Sequence, residues 1–220
     1  MESGAMKGFI DLTHFVEKDI PVWPGDQRPI ITEAMTIEKD MCSLQSIHFT
    51  THVGTHIDAP SHIIKGGMTL DQIPLETLIG KAFVLDFSHK GEKDLITKQD
   101  LQEHEARLFS GSRVLLKTGW DSRFGSDLFF KDFPCLAFDA ARYLSTRKII
   151  LLGMDTPSPS PIDDPGQRIH KTLLGAEIIL LEGLRNLNQI QGNECELIAL
   201  PAPFKNFSGA PCRAVAAEVR

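Results

Sequence analysis

The stretch that most constrains this chain is His52-Val53-Gly54-Thr55-His56-Ile57-Asp58-Ala59-Pro60-Ser61-His62, which holds three of the eight histidines and one carboxylate, with no Lys, Arg or Glu. A helix is a poor reading, although His52 and His56 stand four residues apart. Gly54 and Thr55 weaken a helix interior, and Pro60 pushes Ala59 out of the α region. An extended path suits the alternation of His56, Asp58, Pro60 and His62 along one face. Full extension throughout would separate the Cα atoms of His52 and His56 by ~13 Å, too far for both to reach one ion comfortably. Gly54 lies between them and accepts the backbone angles of a bend. The stretch therefore reads as a strand that ends near His52, bends at Gly54 and aims His52, His56 and Asp58 at one metal ion.

The pattern HxGTHxDxPxH resembles the signature of the cyclase family of metal-dependent hydrolases, which includes bacterial kynurenine formamidases and isatin hydrolases. The opening Asp11-Leu12-Thr13-His14, the segment Gly153-Met154-Asp155-Thr156-Pro157-Ser158 and the region Leu184–Leu187 extend the likeness over most of the chain. The resemblance implies a binuclear centre, with His170 and Glu182 on a second ion and Asp58 bridging the two. From the residues alone, Glu182 after the apolar run Ile178–Leu181 reads more readily as the solvated end of a strand. The resemblance also implies that His62 is the general base and then the acid, a fourth ligand being the rival role. His48, four residues before His52, is expected to be structural or to support the site from behind. His14, His89 and His104 lack such neighbours, and the last two are expected at the surface.

The remaining composition is that of a soluble domain. The chain has 220 residues, 42% hydrophobic and 24% charged, a length that fits a single domain spanning 1–220. Its net charge of -6 and lack of a basic run argue against a nucleic-acid partner. No apolar segment approaches the ~20 residues that span a bilayer. Residues 1–6 lack a signal pattern, and Met6 offers a second start, in which case they are an expression remnant or disordered. Cys42, Cys135, Cys195 and Cys212 form no CxxC pair, which favours reduced thiols and a cytoplasmic location.

Taken in order, Phe9–Thr13 is the first expected strand. Ile20-Pro21-Val22-Trp23-Pro24-Gly25-Asp26 is a stiff loop, with Trp23 either a pocket wall or a core plug; the resemblance favours the wall. Ile30–Ile37 and Cys42–Thr50 form an antiparallel pair. Leu70–Ile79 reads as a short helix and Ala82–Phe87 as a strand. Thr97-Lys98-Gln99-Asp100 caps a helix that closes at Ser110-Gly111. Val114–Lys117 is a strand with Trp120 beyond its end, a second candidate wall or a packing residue. Asp139–Ser145 is a helix, and Lys148–Gly153, Ile178–Leu181, Glu194–Leu200 and Ala214–Val219 are strands, with Asp155–Pro165 a rigid acidic loop. This is an α/β domain with a mixed sheet, which the resemblance refines to the swivelling β/β/α-like fold.

Imidazole and carboxylate ligands without thiolate suit a divalent ion, zinc or manganese. Such an ion lowers the pKa of its water to ~7, supplying hydroxide, and polarises a carbonyl. The expected function is hydrolysis of a small amide, foremost the arylformamide N-formylkynurenine. Isatin, another cyclic amide or a lactone is the alternative substrate; a polyketide-type cyclase and a non-catalytic metal-stabilised binding protein are further readings. The resemblance also implies a homo-oligomer, a dimer or tetramer.

Overall fold

The computed structural model describes residues 7–126 and 128–218, so the reading of residues 1–6 lies outside it. The chain runs through β1 (Lys7–Asp11), β2 (Ile30–Met35), α1 (Ile37–Asp40), β3 (Leu44–His48), β4 (His56–Asp58), α2 (Leu75–Leu78), β5 (Ile79–Asp86), β6 (Leu95–Ile96), α3 (Lys98–Gln102) and β7 (Arg113–Lys117). It continues through β8 (Cys135–Leu136), α4 (Phe138–Arg147), β9 (Leu151–Met154), α5 (Arg168–Gly175), β10 (Ile179–Glu182), β11 (Glu194–Pro201) and β12 (Gly209–Glu218).

The main sheet is mixed, in the order β1-β12-β11-β5-β7-β9-β10-β4. β5, β7, β9 and β10 are parallel neighbours, and their side chains alternate between two apolar layers. Leu115, Leu151, Ile179 and Leu181 point into one core with Ile57, Ala214 and Ala216. Val114, Leu116, Leu152 and Leu180 point the other way, beneath Leu101 of α3, Leu144 of α4 and Ile169 and Leu173 of α5. The sheet also closes on itself. β12 pairs with β11 through Cys212–Ala217, while its first residues, Gly209–Pro211, pair with Asp58, Ile57 and His56 of β4. The sheet edge is thereby removed at the strand that carries the site.

Several boundaries differ from the sequence reading. Pro74 splits the expected helix Leu70–Ile79 into a 3-10 turn at Leu70–Gln72 and the single turn of α2, because it excludes the α conformation just before itself. The helix opened by Thr97 stops at Gln102, followed by a separate 3-10 turn at Glu105–Arg107. Lys148 ends α4 in the left-handed conformation, so the next strand starts at Leu151. The last strand begins at Gly209, not Ala214; its Gly and Pro imitate a turn but lie within the ladder to β4. β2 and β3 pair as expected, but as an isolated two-stranded arm whose Ile30, Met35, Leu44 and Ile47 are exposed. His48 lies on that exposed arm and not behind the site.

Candidate metal centre

Strand register assembles half of the site. In the antiparallel pairing of β10 with β4, Glu182 stands opposite His56 and Leu180 opposite Asp58. Ile57 and Leu181 face the closed core, so the period of two sends His56, Asp58 and Glu182 to the opposite face. α5 covers that face with Ile169, Leu173 and Leu174, and brings His170 over it. His52 comes from the segment after β3, which turns at Gly54 (φ 61°) as the sequence requires. The turn is held by Thr55, whose Oγ1 donates to Gly183 O at 2.5 Å. Gly183 is itself at φ 63°, and a Cβ there would sit 2.7 Å from Gly54 O. Only glycine lets the end of β10 approach the bend this closely.

The five groups converge. His52 Nδ1 lies 2.6 Å from Asp58 Oδ1, and His56 Nε2 lies 3.3 Å from the same oxygen and 3.6 Å from Glu182 Oε2. His170 Nε2 is 3.5 Å from Glu182 Oε1. Two sets of three, His52–His56–Asp58 and Asp58–His170–Glu182, each have ligand atoms within 4.8 Å of one another, and Asp58 belongs to both.

Burial sets the electrostatics. It opposes charge on His56, but Asp58 and Glu182 outweigh it and lift the imidazole to about 9. It likewise opposes charge on His170, and Glu182 overrides it to raise that ring. Burial and the adjacent Asp58 push the Glu182 carboxyl up. Asp58, despite burial, is held well below the ordinary carboxylate range by His52 and His56. Glu182 Oε1 is fully buried without a hydrogen bond, with His170 Nε2 as a polar neighbour at 3.5 Å. These residues fit a divalent ion: two buried carboxylates repel each other, an orphaned oxygen faces imidazole nitrogens, and ion binding would displace the protons that now balance the charge. No cysteine joins either set among the described residues; burial pushes the Cys135, Cys195 and Cys212 thiols up to about 12, and Cys42 is exposed on the arm.

A cavity of about 390 Å³ opens above these groups. His62 lines it, on a 3-10 turn begun by Pro60, with its ring 3.9 Å from that of His52. Burial, the foremost influence, holds the His62 imidazole down at about 4, with the neighbouring His52, His170 and His56 adding to the effect. Trp23 lines the cavity and meets Phe130 edge-on at 5.8 Å. Trp120 does not line it. The indole is buried beneath, donating Nε1–H to Phe129 O at 2.9 Å, so its role is to support the wall, not to form it. Sequence reasoning missed Phe124, Phe129 and Phe130 of that wall; only the density of phenylalanines after Trp120 hinted at them. His14 is buried and stacked on Phe124 at 3.5 Å, and His104 is half-buried against Phe87, not exposed; His89 is exposed as expected.

Comparison with known proteins agrees with this arrangement. The Cyclase family model matches residues 10–161. Kynurenine formamidase of Salinibacter ruber is 34% identical over 211 residues, covering 94% of this chain and 95% of that one. Kynurenine formamidase of Bacillus anthracis is 32% identical over 210 residues, covering 94% and 96%. Among solved structures, isatin hydrolase A from Labrenzia aggregata superposes with a TM-score of 0.87 at 28% identity, covering 97% of this chain and 94% of its own. A protein from Bacillus stearothermophilus described as a predicted metal-dependent hydrolase gives 0.83 at 30% identity, covering 98% and 100%. With this fold, these converging ligands and these relatives, the chain is a metal-dependent hydrolase and belongs to the cyclase family.

Proposed function

We propose that the chain is an arylformamidase that hydrolyses N-formylkynurenine, holding two divalent ions through His52, His56 and Asp58 on one side and Asp58, His170 and Glu182 on the other. The observation that carries the reading is the pair of ligand sets sharing Asp58 at the base of an aromatic-walled cavity. When bound, such ions, zinc foremost and manganese as the alternative, acidify water and polarise the amide carbonyl. Trp23 and Phe130, packed edge to face, offer an aromatic wall for an aryl group, and Asp26 at the cavity offers an acceptor for a substrate ammonium. Among the described residues no Lys or Arg lines the cavity. His62 takes a proton from the attacking water and returns it to the aryl nitrogen as the formyl C–N bond breaks, releasing formate and the amine.

The likeness to isatin hydrolase A supports a cyclic amide as the second reading. An assay of purified protein, chelated and then reloaded with zinc or manganese, against N-formylkynurenine, formanilide, isatin and a lactone tests both. Turnover of the formamides by the reloaded protein alone is expected; exclusive opening of isatin or the lactone would transfer the assignment. Four free cysteines support a cytoplasmic location. Among the described residues no helix is long and apolar enough to cross a membrane. The exposed apolar side chains of the β2–β3 arm support a homo-oligomer that covers them. The whole chain is read as one domain.

A further inference from the structure

Each imidazole aimed at the cluster has a second nitrogen, and its partner decides whether the first is available. A neutral imidazole carries one N–H, and only its bare nitrogen can hold a metal. For His56 the far nitrogen is tied to the backbone: Nδ1 stands 2.9 Å from Gly54 O, which can only accept, so when an ion displaces one proton of the ring Nε2 is the nitrogen freed toward Asp58 and Glu182. The other two histidines end on side chains. His170 Nδ1 lies 2.8 Å from Ser160 Oγ, and His52 Nε2 lies 3.2 Å from Ser208 Oγ.

The two serines are themselves fixed. Ser160 is buried in the loop after β9; its backbone N–H donates to Ser158 Oγ at 3.2 Å, and the two hydroxyls stand 3.4 Å apart. Ser158 O in turn accepts from Thr156 Oγ1 at 3.0 Å. Ser160 Oγ therefore has a neighbour for its own proton and can accept the one on His170 Nδ1. Ser208 precedes β12, and its carbonyl accepts from Ala59 N at 2.8 Å, which ties it to the end of the strand that carries His56 and Asp58. The next residue is Gly209, where a Cβ would lie 2.7 Å from His52 Cε1, so the His52 ring lies directly against this segment.

We propose that Ser160 and Ser208 are positioning residues, one for each half of the cluster: Ser160 accepts Nδ1–H of His170, and Ser208 accepts Nε2–H of His52 once an ion replaces the proton that His52 Nδ1 shares with Asp58 Oδ1 at 2.6 Å, so that ring and tautomer leave the opposite nitrogen for the ion. The inference rests on the metal reading given above. Partners of this kind orient the ligand and raise its basicity, and their loss typically costs about 10–100-fold in metal affinity.

The test is competition for zinc between a chromophoric chelator and wild-type, Ser160→Ala, Ser160→Asp and Ser208→Ala proteins, with thermal melting of each metal-free protein alongside. Ser160→Ala is expected to weaken one of two zinc affinities by about 10–100-fold and spare the other. Ser208→Ala is expected to weaken the other one, and Ser160→Asp, which keeps an acceptor, to restore the first. The metal-free melting temperatures are expected to stay together, which a merely structural serine would not permit. Zinc affinities within twofold of wild type in both alanine variants would overturn the proposal, as would equal loss at both affinities accompanied by a lower metal-free melting temperature. A wild-type chain that binds no zinc would overturn the metal reading itself, an outcome distinct from normal zinc binding that ignores the serines.

Discussion

Gly209→Ala is a small change with a large expected effect on function. Gly209 pairs with Asp58 at the junction of β12 and β4, and a Cβ there would lie 2.5 Å from Ile57 O, 2.7 Å from His52 Cε1 and 3.1 Å from His52 Nε2. The carbonyl contact alone falls about 0.9 Å short of ordinary contact at 3.4 Å, and a backbone atom cannot escape by changing rotamer. Either β12 separates from β4, or the His52 ring moves as well. Overpacking of this kind costs about 1–3 kcal/mol. For a chain of this length that lowers the melting temperature by roughly 2–12 °C. The ligand geometry is less forgiving, because metal–ligand distances tolerate only about ±0.2 Å, while a misplacement near 1 Å can cost about 10²-fold in rate. The expected result is a folded protein with depleted metal and kcat/KM on an aryl formamide reduced about 10²-fold. Circular-dichroism melting, elemental analysis and a formamidase assay measure the three quantities. Gly175→Ala is the control, since its Cβ would meet only Ile64 Cδ1 at 3.7 Å. Full metal content and activity in Gly209→Ala would refute the placement of His52.

Four other outcomes are expected. His62→Ala retains its metal while kcat falls ~10²–10⁴-fold, the usual worth of a positioned acid–base group; loss of metal in parallel would make His62 a ligand. Glu182→Gln reduces the ion count from two to one by elemental analysis, and an unchanged count would remove Glu182 from the ligand set. Asp26→Asn raises KM for N-formylkynurenine and leaves that for formanilide unchanged, because only the former carries an ammonium; equal effects would remove the contact. Asp155, whose carboxyl accepts from the backbone N–H groups of Thr118 and Gly119, is raised by burial from 3.8 to about 6. A folded pKa above the unfolded one gives stability that is fully present below pH 3.8 and lost as pH rises through 6, about 3 kcal/mol in all. The stability of wild type relative to Asp155→Asn is therefore expected to fall between pH 4 and 7 in urea titrations, and a flat difference would contradict it.

The local part of the site was legible because its chemistry is written within eleven residues. Gly54 and Thr55 weaken a helix and Pro60 keeps Ala59 out of the α region, and the bend between His52 and His56 follows once both rings must reach one ion. Glu182 was not legible from its own neighbours, because a carboxylate after an apolar run looks solvated. Its register with His56 depends on the pairing of β10 with β4, which only resemblance could suggest. Trp120 was ambiguous because a tryptophan at a strand end serves a wall or a core equally well, and its Phe129 partner is fixed only by folding. The front of β12 was hidden by Gly209 and Pro211, whose turn preference is overridden by closure of the sheet. Ser160 and Ser208 carry no sequence signal, since serine is common in loops.

The most direct test of the central claim is metal content measured together with activity on one preparation. Elemental analysis of the purified chain should find two divalent ions per chain. Removal of the ions with a chelator should abolish hydrolysis of N-formylkynurenine, and zinc or manganese should restore it. A preparation free of metal that hydrolyses the formamide at the full rate would contradict the account.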